Sequence, residues 1–530
     1  MAERKLLVIG LDGFEISYVD KLMDAGELPA LASLRERSRR FLLDHGSSVR
    51  TGLAWEHFSS GLTPEHAHRT SMVEFVGSGY DARQRGARFT PFFSALDARV
   101  VVFDSPYTDI ARAPGVRGIV SWGAHDPGVV PTSNPPELRH ELDERFGPYP
   151  SDEWKYTRPW SSVRDTAATG AGLARGIDAR REVASWLLSE RLPDWDLAVV
   201  VTGEPHSAAE AFWHGIDPDH PLHAIPSAAV ATESLLDVYR AGDRLVAELI
   251  DATDPSAVIV FSMGGMGTNN ADVPSMVLLP EFVYRWATGN TLLELPDEWT
   301  ADPTQVLIVP EGEDPLDTIS RCYATIPRTF TSRVKRKLRS LRTPAPSNDA
   351  TVLDLSLDWQ PAMRYRPHWA KMRAFALPAF YDGRTRVNLR GREPAGIVEL
   401  ADYSRTLDDL EAALLECRDA CTGDPIVDHV ERATASPFSL DASEADLTVV
   451  WSAPTNAFVH PELGLIGPVP FLRTGGHTGP YGFAFVSGDG IDAGDGGIRS
   501  AFDVAPTIAA MLDFTPEREI DGTSMLGTRV

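Results

Sequence analysis

Five short segments carry side chains able to hold a cation or attack an electrophile, and each adjoins a strand-like apolar run. Leu6-Leu7-Val8-Ile9-Gly10-Leu11 delivers Asp12 and Gly13. Such a run reads as a buried parallel strand, and the carboxyl edge of an open α/β sheet is where ligands bind. A carboxylate there suits a hard or borderline divalent cation, the plain alternative being a turn. In Arg50-Thr51-Gly52-Leu53-Ala54-Trp55-Glu56-His57 a hydroxyl stands just ahead of an apolar helix. Thr51 serves there either as N-cap or as nucleophile, since a helix N-terminus favours the anion formed on phosphoryl attack. Nearby His45, Arg50 and His57 are candidate proton donors or oxyanion partners, with structural roles as the alternative.

Behind the apolar run Leu197–Thr202 comes Gly203-Glu204-Pro205-His206, and Glu210 lies four residues after His206. On a helix the two share a face and can close on one cation, or form an ordinary surface pair. His214 and His220 follow as the nearest substitutes. Val258-Ile259-Val260-Phe261-Ser262 runs into Met263-Gly264-Gly265, a loop that lets backbone approach a ligand but offers no strong metal ligand. His477 sits in the glycine-rich Gly475-Gly476-His477-Thr478-Gly479, a loop placement that favours function over core packing.

These residues need a frame. Leu6–Leu11, Val100–Phe103, Leu197–Thr202, Ala257–Phe261, Leu447–Trp451 and Gly482–Ser487 read as strands, and Thr232–Asp251 repeats apolar residues at helical spacing. The alternation predicts an α/β fold with a mostly parallel central sheet covered on both faces. We expect one α/β domain over residues 1–530, with insertions at 123–159, irregular and lid-like, and at 294–348. The second insertion holds a basic run (Arg333, Lys335, Arg336, Lys337, Arg339, Arg342), read as a solvated helix face or an anion contact, and then the loop Pro344–Asn348.

With 75 acidic against 50 basic residues the chain lacks the basic face of a duplex nucleic-acid binder. A small anionic substrate remains compatible, because a local metal inverts the field within a pocket. Three cysteines build no disulfide framework, and Cys417 and Cys421 read as ordinary helix residues. Met1–Lys5 leads straight into the first strand, leaving no room for a signal peptide, and no apolar run reaches membrane-spanning length. A cytoplasmic protein is therefore expected.

In order and spacing these segments resemble the alkaline phosphatase superfamily, specifically its type I phosphodiesterase/nucleotide pyrophosphatase-like branch. The resemblance adds Gly26–Leu34, Ser60-Gly61, Arg386–Val398 and Phe502–Ile508 to the five segments and covers nearly the whole chain. It implies an α/β/α sandwich, two adjacent metal sites, usually zinc, and a Thr or Ser that becomes phosphorylated. One implied site matches His206, Glu210 and His477, with carboxylate and imidazole exchanged in position. Two imidazoles and a carboxylate suit zinc with an open position, or divalent iron or manganese. The other implied site keeps Asp12 and Thr51, but its Asp-His pair is Met263 and Gly264. Asn269, Asn270 and Asp272 downstream are partial substitutes, Asn269 also a substrate-binding candidate with Arg50 and His57.

The resulting expectation is a metal-dependent hydrolase or group-transfer enzyme acting on a phosphoester or related anionic ester, with a specialised biosynthetic pathway as one setting. Thr51 would be nucleophile or anchor, and Asp12 base or ligand of a weaker second metal. Zinc is the expected ion. The opposing expectation is a degenerate member that binds a ligand or partner without turnover.

Overall fold

The computed structural model describes residues 5–323, 353–514 and 519–527. Its main sheet has nine strands: β1 (Leu6–Leu11), β2 (Arg39–Asp44), β3 (Val100–Phe103), β4 (Val116–Val120), β5 (Thr132–Asn134), β6 (Leu197–Thr202), β7 (Ala257–Ser262), β8 (Gly482–Gly488) and β9 (Gly494–Ser500). Their order is β9-β2-β8-β7-β1-β6-β3-β4-β5. The central run from β7 to β4 is parallel. β8 enters antiparallel between β7 and β2, and β5 closes the far edge antiparallel. The mixed α/β class with a mostly parallel sheet is thus present. Leu447–Trp451, read in the same series of strands, belongs instead to a separate antiparallel sheet with Ala374–Leu377, Gly383–Val387 and Val427–Arg432.

Successive strand residues feed two apolar layers, as a period of two requires. Leu6, Val8, Val100, Val102, Leu197 and Val199 pack with Trp55 and Phe58 of α1 (Ala54–Ser60). Leu7, Ile9, Val101, Phe103, Ala198 and Val200 pack on the other side with three longer helices, α2 (Val163–Trp186), α3 (Glu204–Ile216) and α4 (Ala228–Thr253). α2 opens on Ser162, whose hydroxyl accepts from the Asp165 N–H. α3 carries Pro205 in its first turn, where a missing N–H costs nothing. The first layer runs on into the second sheet through Leu279, Phe282, Phe375 and Val449.

Residues 123–159 are not an irregular lid. They supply β5, the helix Glu137–Phe146 and the buried Tyr149. The basic run at 333–342 and the loop 344–348 lie outside the described residues. Cys417 and Cys421 are not helical either: the preceding helix ends at Leu415, and Cys417 is buried while Cys421 is exposed. Among the described residues no helix is long and apolar enough to cross a membrane.

Candidate active site

Three strand ends deliver the charged groups to one place. Asp12 follows β1, α3 begins directly after β6, and His477 lies on Gly475–Gly479, which pairs with Gly265–Thr268 beyond β7. Gly13 has φ 77°, and a Cβ on it would stand 2.4 Å from the His206 Cα, so the Asp-Gly pair lets α3 close onto the strand end. Asp12 Oδ2 then lies 3.0 Å from His206 Nδ1, and Glu210 Oε1 lies 3.2 Å from His206 Nε2. His477 meets the His206 ring edge-on, with centroids 4.6 Å apart.

Arg473 completes the row. Its guanidinium binds Glu210 and pairs twice with Asp272, both contacts at 2.5 Å. Charges therefore alternate along Asp272, Arg473, Glu210, His206 and Asp12. Burial alone would push the Glu210 carboxyl up, but Arg473 and His206 hold it well below the usual carboxylate range. Burial likewise disfavours the His206 cation, yet Asp12 and Glu210 raise that imidazole to about 10. Asp12 is lowered because His206 outweighs its desolvation. Burial, then repulsion from His206, pushes His477 down to about 3, which leaves it neutral, and its buried Nδ1 has no hydrogen-bond partner. Three carboxylates against Arg473 and one imidazolium leave one negative charge uncompensated. A divalent cation replacing the His206 proton would balance the row, so the donor set fits one such ion.

Two groups of side chains bring ligand atoms within 4.8 Å of one another: Asp12, His206 and His477, and His125, His206 and Glu210. The trio His206, Glu210 and His477 is thus divided between them. His125 was not singled out in the sequence. Its only signal is a His-Asp pair after a strand, in a segment read as irregular. Beneath the site, fully buried Arg180 bridges Asp104 at 2.7 Å and Glu204 at 3.0 Å. Asp104 also accepts from the N–H groups of Trp122 and Gly123. One guanidinium so ties the start of α3 to the loop carrying His125.

The neighbouring half of the edge is different. Thr51 ends a short 3-10 helix (Gly46–Thr51), where its hydroxyl donates to the Ser48 carbonyl at 2.8 Å and accepts from the Leu53 N–H at 3.1 Å. It lines a cavity of about 270 Å³ with Arg384 and Glu431, and Asp12, His125, His206 and His477 surround an adjoining space of about 30 Å³ that shares Met72 and Tyr381 as walls. Met263 is buried, and Gly264 offers no ligand; a Cβ there would stand 3.8 Å from His477 Nδ1. These residues do not fit a second cation.

Arg50 and Asn269 line a cavity of about 290 Å³ with Glu210 and His477. Their polar groups are engaged: Arg50 with Asp382 (2.8 Å) and Glu431 (2.9 Å), and Asn269 with Gly475 and the backbone N–H groups of Ala271 and Asp272. His57 is a buried residue of α1, its Nδ1 3.2 Å from His45 Nε2 and its ring against Phe502. His214 and His220 bond to Ser227 and to the Thr474 carbonyl.

Residues 6–300 match the model of the type I phosphodiesterase/nucleotide pyrophosphatase family. The chain belongs to that family. Solved structures similar to it include human ectonucleotide pyrophosphatase/phosphodiesterase 5, at 11% identity over 98% of this chain and 97% of that one with a TM-score of 0.46. Phosphonoacetate hydrolase from Sinorhizobium meliloti, in complex with phosphonoformate, is 16% identical over 96% of this chain and 95% of that one, with a TM-score of 0.46. No curated protein matches the chain. Within the family frame the Arg386–Val398 stretch is architectural, since Arg392 joins Glu393 to Asp446 and Asn388 donates to the carbonyls of Trp369 and Met372.

Proposed function

We propose that this family member is a phosphodiesterase-type hydrolase working with one divalent cation, with zinc as the ion two imidazoles and a carboxylate favour. The observation that supports it is the buried row of alternating charges, one positive charge short, beside a half-site that lacks ligands. The ligands would be drawn from the cluster centred on His206, which is common to both groups of closely placed donor atoms. Held there, a divalent cation would supply Lewis-acid polarisation of a phosphoryl oxygen and a lowered pKa for the attacking water. Asp12 accepts the hydrogen bond of His206 Nδ1 and fixes its ring, while Arg473 keeps Glu210 ionised. Neutral His477, with Nδ1 unbonded, is placed to accept a hydrogen bond from the attacking water and orient it, while the water's proton passes to the leaving ester oxygen. Hydroxide adds to phosphorus as one ester P–O bond breaks. Thr51 acts as the anchor of its turn.

Two cavities meet at Glu210, Arg473 and Phe380. One of about 290 Å³ is lined by Arg50, Asn270 and Trp451; the other, about 340 Å³, by Tyr156, Leu355 and Trp359. A diester with one polar and one apolar arm matches that pair. Hydrolysis of bis(4-nitrophenyl) phosphate should exceed that of 4-nitrophenyl phosphate by about tenfold in kcat/KM, about 1.4 kcal/mol in barrier, and should stop on chelation and resume with zinc. A preference for the monoester, or full activity after chelation, would defeat the reading. A second reading, ligand binding without turnover, is favoured by the Thr51 hydroxyl spent on Ser48 and the ligand-free Met263 and Gly264. Zinc-loaded protein inert toward both esters would support it.

A further inference from the structure

Two imidazoles in the cluster are held in the same way. His206 Nδ1 lies 3.0 Å from Asp12 Oδ2, and His125 Nδ1 lies 3.0 Å from Ser207 Oγ. The two rings stack at 4.2 Å with 22° between their planes. Each ring therefore has Nδ1 occupied by an orienting partner and Nε2 facing carboxylate oxygen, Glu210 for His206 and both Glu210 and Asp126 (3.7 Å) for His125. The distances are 3.2 Å from His206 Nε2 to Oε1 and 4.0 Å from His125 Nε2 to Oε2. A carboxylate or hydroxyl on one imidazole nitrogen, with the other left for the ion, is the usual outer-sphere arrangement of a histidine ligand. In the rival grouping of Asp12, His206 and His477, Asp12 would have to serve the ion itself, although its Oδ2 already partners His206 Nδ1.

We propose that the cation is held by His125, His206 and Glu210 through the two Nε2 atoms and a Glu210 oxygen, with Asp12 and Ser207 as orienting partners rather than ligands. The inference rests on the one-cation reading above and names its ligands. All three are buried and lie within ligand reach of one another. The loop that brings His125 is braced from below by Asp104 and Arg180. His477 is then free of the ion, with its Nδ1 available at the cavity wall.

The test is zinc titration of the chelator-stripped full chain, with cobalt(II) as a spectroscopic probe. Wild type should bind one equivalent. His125→Ala should weaken zinc binding by more than about a hundredfold, beyond the tenfold to hundredfold that loss of an orienting partner costs. Asp12→Asn should stay within that smaller range, and His477→Ala should bind as wild type does. His125→Cys should keep cobalt and gain a thiolate-to-cobalt charge-transfer band, a positive signal that a misfolded variant cannot give. Wild-type zinc affinity in His125→Ala, no new band in His125→Cys, or release of zinc by His477→Ala would each overturn the assignment. A wild type that takes up no zinc would instead bring down the one-cation reading itself.

Discussion

The two halves of one sheet edge have gone different ways. On the α3 side, Asp12, His206, Glu210 and Arg473 are buried and paired, with charges alternating along the row. On the Thr51 side the corresponding positions hold a methionine, a glycine and a hydroxyl committed to its own turn. Both halves sit on equally solid framework, since β1, β6 and β7 carry them and are buried throughout their centres. The difference is therefore chemical. A strand end can go without metal ligands at no cost to the sheet when its residues, here Met263 and Gly264, are apolar or small. A row of buried charges cannot lose one member without stranding the next.

The largest effect should follow from breaking the charged half. His206→Ala removes the one side chain common to both ligand groups. We expect loss of bound zinc and a fall of about a thousandfold in kcat/KM, at the scale of losing a principal transition-state electrostatic contact. Atomic absorption on the purified variant and diester kinetics check it. A variant retaining stoichiometric zinc would show that the two halves differ less than their side chains suggest.

Next is the pH response of the pair behind the other half. Burial pushes His45 down to about 4 and His57 well below its ordinary value, so both fold as neutral rings. An unfolded histidine takes up its proton near pH 6.5. Stability is then complete above about 6.5 and falls as pH drops toward 4, because only the unfolded chain binds the proton. At 1.36 kcal/mol per unit, His45 alone accounts for about 3 kcal/mol over that window. Urea unfolding at pH 7 and pH 4 should show His45→Gln losing about that much less than wild type. An equal loss in both would place the titration elsewhere.

How far the site was legible follows the same division. Asp12, His206, Glu210 and His477 stand next to apolar runs, and the four-residue spacing in α3 puts two of them on one face without tertiary information. Their grouping was not legible. His125 arrives on a loop whose course depends on Asp104 and Arg180, which lie 76 residues apart in the chain and meet only in space. The Thr51 hydroxyl is directed by the Ser48 carbonyl, a backbone feature no side-chain spacing reveals. The parallel core was readable from β-rich apolar runs between helices, but the direction of β8 was not, since a strand's periodicity is the same either way.

A smaller effect is expected from rebuilding the depleted half. Met263→Asp with Gly264→His should add a second zinc equivalent beside His477, weaker than the first. The new Cβ at 264 would stand 3.1 Å from Val49 Cγ2, so Val49→Ala belongs in the same variant. Stoichiometry by calorimetry decides it. A rebuilt protein still holding one equivalent would mean that more than two ligands separate the halves.

The smallest effect is predicted for Thr51→Ala. The substitution removes the hydroxyl that donates to Ser48 and caps the Leu53 N–H, which should cost about 1–2 kcal/mol of stability, the scale of a lost cap with its hydrogen bond. Because that oxygen is committed to the Ser48 carbonyl and the Leu53 N–H of its own turn, kcat/KM for the diester should stay within about tenfold of wild type, equivalent to about 1.4 kcal/mol of barrier. Zinc content should not change. Thr51→Ser, which keeps the oxygen, should recover the stability and leave the rate alone. The opposite pattern is equally readable: if Thr51→Ala abolished turnover with zinc still bound, and Thr51→Ser restored it, the hydroxyl would have to leave Ser48 and attack phosphorus. Water attack would then be wrong, and the side that looks emptied would be supplying the nucleophile.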